Sequence, residues 1–179
     1  MAQQTPRPIR IEGDVAYLTL TKGYEAIIDA ADVPLVCHRN WWALEARHKG
    51  SSEVRTVYAQ ARLGGLHVYL HRVLLGLDST LQIDHQNGNG LDCRRENLRE
   101  ATPTENACNQ RLSKARNTSG IKGVWWDSAR QLWAAEIRRA GVRLRLGRFR
   151  CITAAALAYA KASRELHGGF GRVEWGAQA

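Results

Sequence analysis

Ile83-Asp84-His85-Gln86-Asn87-Gly88-Asn89-Gly90-Leu91-Asp92-Cys93-Arg94-Arg95-Glu96-Asn97-Leu98-Arg99-Glu100-Ala101-Thr102-Pro103-Thr104-Glu105-Asn106 is the stretch from which the architecture unfolds. Gln86-Asn87-Gly88-Asn89-Gly90 is a strong turn signal, because Gly and Asn tolerate the backbone angles that tight turns need. A short extended segment precedes it, and a second one ends near Ala101. Thr102-Pro103-Thr104-Glu105 then starts a helix. Thr102 can cap the amide of the third helical residue, Pro103 suits the first position and Glu105 can reach back. The order is strand, turn, strand, capped helix.

Chemistry is concentrated on that frame. Asp84 and His85 are adjacent, Asn97 stands in the second half and Asn106 on the helix. Cleavage of a phosphodiester by water needs a base for the nucleophile and an electrophile for the charge on phosphate and leaving oxygen. His85 can be the base, with an ordinary pKa near 6.5. A hard divalent cation can be the electrophile, and Asp84 with the side-chain carbonyl of Asn106 offers the oxygens it prefers. Neighbours on an extended segment point to opposite sides, so Asp84 and His85 can face the ion and the water path separately. Each of these residues alone would usually be structural or solvated; the combination is specific.

Towards the N-terminus the texture is short apolar runs broken by polar turns. Val15–Leu20, Ala26–Ile28, Trp41–Leu44, Val57–Ala59 and Leu66–His71 read as strands, with Gly64-Gly65 as a hairpin turn between the last two. Trp41 and Trp42 read as core. Towards the C-terminus a polar joint at Lys114–Gly120 separates a second module. Ile121–Trp126, Gln131–Arg138 and Val142–Phe149 read as three strands. A helix capped by Thr153 runs from Ala154 to His167, with Ala155, Tyr159, Ala162 and Leu166 on one face.

Charge separates the two parts. The chain of 179 residues has a net charge of +9, with 26 Lys and Arg against 17 Asp and Glu. The excess lies after Gln110, in the predicted second module, and such a density of positive charge commonly meets nucleic acid. Arg130, Arg138, Arg143 and Arg145 fall on the predicted strands or their ends. Arg143 and Arg145, two apart, share a face, with Leu144 and Leu146 opposite. A sheet with one basic face, backed by a helix, suits the major groove of B-form DNA better than the narrow groove of A-form RNA. No apolar run is long enough to span a membrane and the start is polar, so a soluble, cytoplasmic protein of a bacterial or phage-infected cell is expected. The four cysteines lack Cys-x-x-Cys spacing and read as reduced thiols.

His71-Arg72, Asp84-His85-Gln86-Asn87-Gly88, Leu91 to Arg99 and Ala101-Thr102-x-x-Glu105-Asn106 resemble the HNH endonucleases of phages and mobile introns. The resemblance implies a β-hairpin and helix clasping one divalent metal ion, Mg²⁺ or Mn²⁺. It implies His85 as general base, Asp84 and Asn106 as metal ligands, and Asn109 as the fallback ligand. It also implies that Asn97 braces the loop and orients His85, and that His71 and Arg72 support the site or contact phosphate. The sequence departs from many relatives at Cys93, where they carry Asn; a thiol cannot reproduce the hydrogen bonding of an amide.

Ser119-Gly120-x-Lys122-Gly123-Val124, Trp133 to Arg138, Leu146-Gly147-x-Phe149, Ala154-Ala155-x-x-Ala158-Tyr159 and Glu165-Leu166-His167-Gly168 resemble the Apetala/ethylene-response-factor DNA-binding domain. By that resemblance Lys122, Arg138 and Arg143 match basic DNA-contacting residues and Glu136 a glutamate within the sheet. Trp125-Trp126 stand where plant relatives carry arginine, so the plant target sequence does not carry over.

The expectation is an α+β protein of two modules. Residues 1–113 form a ββα-metal nuclease on a small antiparallel sheet, with its core motif at 66–113. Residues 118–175 form a three-stranded antiparallel sheet packed on one helix. The expected function is metal-dependent, site-directed cleavage of double-stranded DNA by a monomer or weak homodimer, leaving 5′-phosphate and 3′-hydroxyl ends. The alternative is a sequence-specific DNA-binding regulator whose nuclease has lapsed.

Overall fold

A computed structural model of the chain describes residues 6–47, 50, 52–76, 81–110, 117 and 119–173. It mixes small antiparallel sheets with few helices and divides into two compact units, Met1–Ala101 and Thr102–Ala179.

The N-terminal unit is built from two three-stranded meanders and a hairpin. Strands β1 (Ile9–Glu12), β2 (Val15–Thr19) and β3 (Glu25–Asp29) pair in sequence order. Alternation along β2 buries Ala16 and Leu18, and along β3 it buries Ala26 and Ile28. Helix α1 (Val33–Val36) follows, with Pro34 in its first turn. Strands β4 (Trp42–Arg47), β5 (Val54–Leu63) and β6 (Leu66–Tyr69) form the second meander, closed between β5 and β6 by the Gly64-Gly65 turn. Trp41 is buried, its indole donating to Val36 O at 3.1 Å, and Trp42 packs half-buried on the same core.

The predicted strand Leu66–His71 needs correcting. It ends at Tyr69, and helix α2 (Leu70–Leu75) begins at the next residue, which puts His71 in a helical first turn. Leu70 and Leu74, four apart, are both buried in the core, and this helical spacing prevails over the partial alternation before it. The decisive stretch then forms β7 (Gln82–His85) and β8 (Leu98–Ala101), with Asp84 opposite Arg99 and His85 opposite Leu98.

The C-terminal unit begins with helix α3 (Pro103–Asn109), capped as the sequence anticipates. Thr102 Oγ1 accepts from Glu105 N at 3.3 Å, and Glu105 Oε2 accepts from Thr102 N at 2.8 Å. This division lies N-terminal of the joint read from sequence at Lys114–Gly120, of which residues 114–116 and 118 lie outside the described residues. Lys122 shows why α3 is counted here: its ammonium donates to Cys108 O at 2.6 Å and Gln110 O at 3.0 Å.

Strands β9 (Val124–Asp127), β10 (Leu132–Arg139) and β11 (Val142–Phe149) form one antiparallel sheet in the order β11-β10-β9. Helix α4 (Ile152–His167) covers one face, burying Ala155, Tyr159 and Ala162 against Val124, Ala135 and Ile137. Small alanines let helix and sheet approach closely. At Gly123 the approach is closest, since a Cβ there would sit 2.2 Å from the Tyr159 ring, and φ is +72°. The cap of α4 differs from the expected Thr153: Cys151 is the N-cap residue, its sulfur accepting from Ala154 N at 3.4 Å. No helix among the described residues is long and apolar enough to cross a membrane.

Candidate active site

The loop between β7 and β8 is held by its own side chains. Asn97 Oδ1 accepts from Asn87 N at 2.9 Å, and Asn97 Nδ2 donates to Asp92 O at 2.6 Å. One amide thus ties the two halves of the loop together, a use open to a residue that both donates and accepts. Asp92 is buried and receives Arg94 Nε at 2.9 Å, Arg94 Nη2 at 2.8 Å and Asn87 Nδ2 at 2.8 Å. The hydrogen bonds from Arg94 hold the Asp92 carboxyl below the usual carboxylate range.

The loop is also pinned to the meander beneath it. Cys93 N donates to Ile27 O at 2.7 Å and Ile27 N to Leu91 O at 2.8 Å. Arg95 grips the buried Asp32 with Nη2 at 2.7 Å and Nε at 3.0 Å, and its backbone amide donates to Asp29. Gly90 passes so close to β5 that a Cβ would lie 2.5 Å from Val57 O and 2.7 Å from the Tyr58 ring. Any larger residue would push the loop off its support.

Asp84 and His85 end β7, and both are buried. Arg99 crosses the hairpin to Asp84 Oδ2, with Nε at 2.9 Å and Nη2 at 2.7 Å, which fixes the carboxylate. His85 lies in a cluster of rings. Its centroid is 5.0 Å from that of His71, edge to face, and 5.8 Å from that of Tyr58. Burial pushes the His85 pKa down to about 4, against the pull of the Asp84 and Asp92 charges, so its imidazole is neutral at pH 7. The Cys93 sulfur is 3.8 Å from His85 Nε2 and fully buried, which raises its pKa.

His71 is buried beside Tyr69, Tyr58 and His85, and burial lowers its pKa to about 3. A neutral, enclosed ring does not offer a phosphate a positive charge, so of the two expected uses of His71 its packing against His85 is the one the geometry supports. Arg72, next in α2, is half-buried and donates to Leu81 O at 3.4 Å. Asn106 and Asn109 lie on α3, half-buried and buried respectively.

In the C-terminal unit the sheet face away from α4 carries the charge. Arg138 pairs with Arg143 and Glu136 with Arg145, which puts these four side chains on one face. A register shift at Ala135/Glu136 leaves Leu146 without a partner in the ladder. The bulge adds Arg148, opposite Ala134, to the basic face and turns Phe149 to the helix side. A shallow groove of about 260 Å³ runs over this face, lined by Trp125, Glu136, Arg143, Arg145 and Arg148. Arg130 sits at the β9–β10 turn, 3.3 Å from Asp127 Oδ2, the oxygen that also accepts from Arg148 Nε at 3.0 Å. The Lys122 ammonium is held by carbonyls of and beside α3.

Several residues of the site were missed in sequence. Arg94, Arg95 and Arg99 carry no assigned role in the sequence reading, yet each binds a buried carboxylate. A signal for Arg99 was available, since pairing β7 with β8 in register sets it opposite Asp84. For Arg95 and Asp32, far apart in the chain, no local signal exists.

Residues 66–108 match the family model described as HNH endonuclease. The chain is 38% identical over 90 residues to Protein 3.8 of Escherichia phage T7, a match covering 50% of this chain and 73% of that protein. No solved structure matches the chain.

Proposed function

Since this chain belongs to the family of Escherichia phage T7 Protein 3.8 and holds an HNH endonuclease domain at residues 66–108, we propose that it is a metal-dependent, site-directed DNA endonuclease of the homing type that nicks as a monomer. The observation that carries this reading is His85, a neutral imidazole beside a fixed Asp84 on a hairpin braced by Asn97. A general base must be unprotonated before it can take a proton from water. Burial gives His85 that form at neutral pH and Arg99 orients its neighbour; Asn97 is a positioning residue.

A buried carboxylate is the kind of hard oxygen donor that Mg²⁺ or Mn²⁺ takes. Asp84 would hold such an ion, with Asn106 as second ligand on sequence spacing. When bound, the ion would neutralise charge on the phosphate and the leaving oxygen. The products would be a 5′-phosphate and a 3′-hydroxyl.

The C-terminal unit would bring the DNA. Arg138, Arg143, Arg145 and Arg148 on one sheet face support an Apetala/ethylene-response-factor type of reading, with guanidinium groups pairing bidentately to guanine edges in the major groove. The half-buried Glu136 on that face would orient Arg143, from which it lies 3.7 Å.

The test is cleavage of supercoiled plasmid with Mg²⁺ or Mn²⁺, beside EDTA and His85→Ala. Nicking that needs the ion and disappears in the variant is the expected result. Intact plasmid under every condition, with retained binding in a gel shift, would replace this reading by a lapsed nuclease acting as a regulator. The enclosure of His85, with only 6% of its surface exposed and a thiol beside it, is the observation that favours that second reading.

A further inference from the structure

Three ligand side chains of softer character than Asp84 meet inside the N-terminal unit. One ligand atom each from His71, His85 and Cys93 lies within 4.8 Å of the other two. They come from three separate pieces of chain: α2, the end of β7, and the loop held against β3. All three side chains are more than nine-tenths buried. His71 Nδ1 has no hydrogen-bond partner among the described residues, and an unsatisfied buried nitrogen is unusual enough to require a reason.

We propose that His71, His85 and Cys93 form a soft-metal site that takes Zn²⁺, and that the ion, by occupying His85, shuts off cleavage. The binding half stands on this geometry; the shut-off half rests on the reading of His85 as the base. Two imidazoles and a thiolate are donors that select zinc over magnesium, whereas Asp84 is a hard oxygen donor. Zinc bonds of about 2.0–2.1 Å to nitrogen and about 2.3 Å to sulfur place ligand atoms of a tetrahedral site roughly 3.5 Å apart. The His85 and Cys93 atoms are already 3.8 Å apart, so the cluster has to close by about an ångström at its widest pair.

Three protein ligands leave a fourth position open, as in sites where zinc keeps a water or an exchangeable group. On binding, a sulfur–zinc bond forms and the Cys93 thiol loses its proton to solvent, giving up its contact with Gly90 O. Zinc affinity therefore rises with pH. An imidazole lone pair that holds zinc cannot take a proton from water, so one ion removes the base.

The test uses the full chain and Co²⁺ as a spectroscopic stand-in for zinc. The variant Cys37→Ser/Cys108→Ser/Cys151→Ser keeps Cys93 as its one thiol. One equivalent of Co²⁺ should give the intense near-ultraviolet thiolate-to-cobalt band, which Zn²⁺ then displaces. Adding Cys93→Ser should abolish the band, and His71→Gln, which removes a direct ligand, should weaken binding by more than the roughly 100-fold that loss of an outer partner can cost. A missing band, or one that survives Cys93→Ser, would overturn the site. With Mg²⁺-supported nicking as the second readout, Zn²⁺ should inhibit the parent at near-equimolar levels, and Cys93→Ser should need at least 10-fold more. Equal inhibition of both would overturn the shut-off. A cobalt band in a protein that never cuts DNA would leave the metal site standing and defeat the nuclease reading.

Discussion

Arginine does opposite work in the two units. In the β7–β8 hairpin and its loop Arg94, Arg95 and Arg99 each face a buried carboxylate, on Asp92, Asp32 and Asp84. On the C-terminal sheet Arg138 and Arg145 have no carboxylate partner among the described residues, while Arg143 and Arg148 share the face with Glu136 and Asp127. Paired inward, the cation fixes a loop. Set in surplus on a strand face, it favours a polyanion. On the proposed function, the contrast would separate residues that position chemistry from residues that hold DNA.

The contrast breaks most visibly at Arg95. Arg95→Ala leaves the Asp32 carboxylate buried without its cation, and a loss of about 2–3 kcal/mol is expected after discounting for the exposed side of Arg95. Thermal unfolding should fall by roughly 4–12 °C, while the salt dependence of DNA binding stays unchanged. A changed salt slope with unchanged stability would make Arg95 a DNA contact instead.

Arg145→Ala should do the reverse. Loss of one groove-facing guanidinium is expected to weaken specific DNA binding by about 10-fold and to reduce the salt slope by about 1. Stability should move by no more than about 0.5 kcal/mol. Unaltered affinity in a titration across salt concentrations would remove Arg145 from the interface.

Lys122, matched to a DNA contact by the resemblance, donates to the carbonyls of Cys108 and Gln110. Lys122→Met should cost about 1 kcal/mol through the lost hydrogen bonds to Cys108 O and Gln110 O. DNA affinity at fixed salt should be unchanged, and a fall comparable to that of Arg145→Ala would restore the role implied by the resemblance.

The buried rings can be tested by pH. His71 has a folded pKa of about 3 and His85 of about 4, both below the unfolded value near 6.5. The unfolded chain therefore takes up protons first as pH falls. Their contribution to stability is complete above about pH 6.5 and is lost as pH drops through the folded values. Melting temperature should decline steadily below pH 6.5, and His71→Gln should make that decline shallower. A melting temperature that is level down to pH 4 would mean that neither ring is neutral through burial.

Local chemistry made much of this legible from sequence. The Thr102-Pro103-x-Glu105 cap, the turn at Gln86–Gly90 and the alternation of β2 each depend on residues a few positions apart, and each is where the sequence puts it. What escaped depends on distant or irregular geometry. The bulge at Leu146 shifts register within one strand, so plain alternation would place Phe149 rather than Arg148 beside Arg145. The Arg95–Asp32 grip links the loop to the start of α1, and the approach of Cys93 to His85 needs the folded loop. The partial alternation of Leu66–His71 points to a strand through His71, while the Leu70–Leu74 spacing that winds α2 continues past it.

The division of labour between the units is tested most directly by measuring cleavage and DNA affinity side by side in Asp84→Ala. Cleavage of target DNA in Mg²⁺ should be abolished while the gel-shift affinity stays within about 2-fold, less than the tenfold that 1.4 kcal/mol represents. Loss of both together, or of neither, would contradict a chain in which one unit cuts and the other holds the DNA.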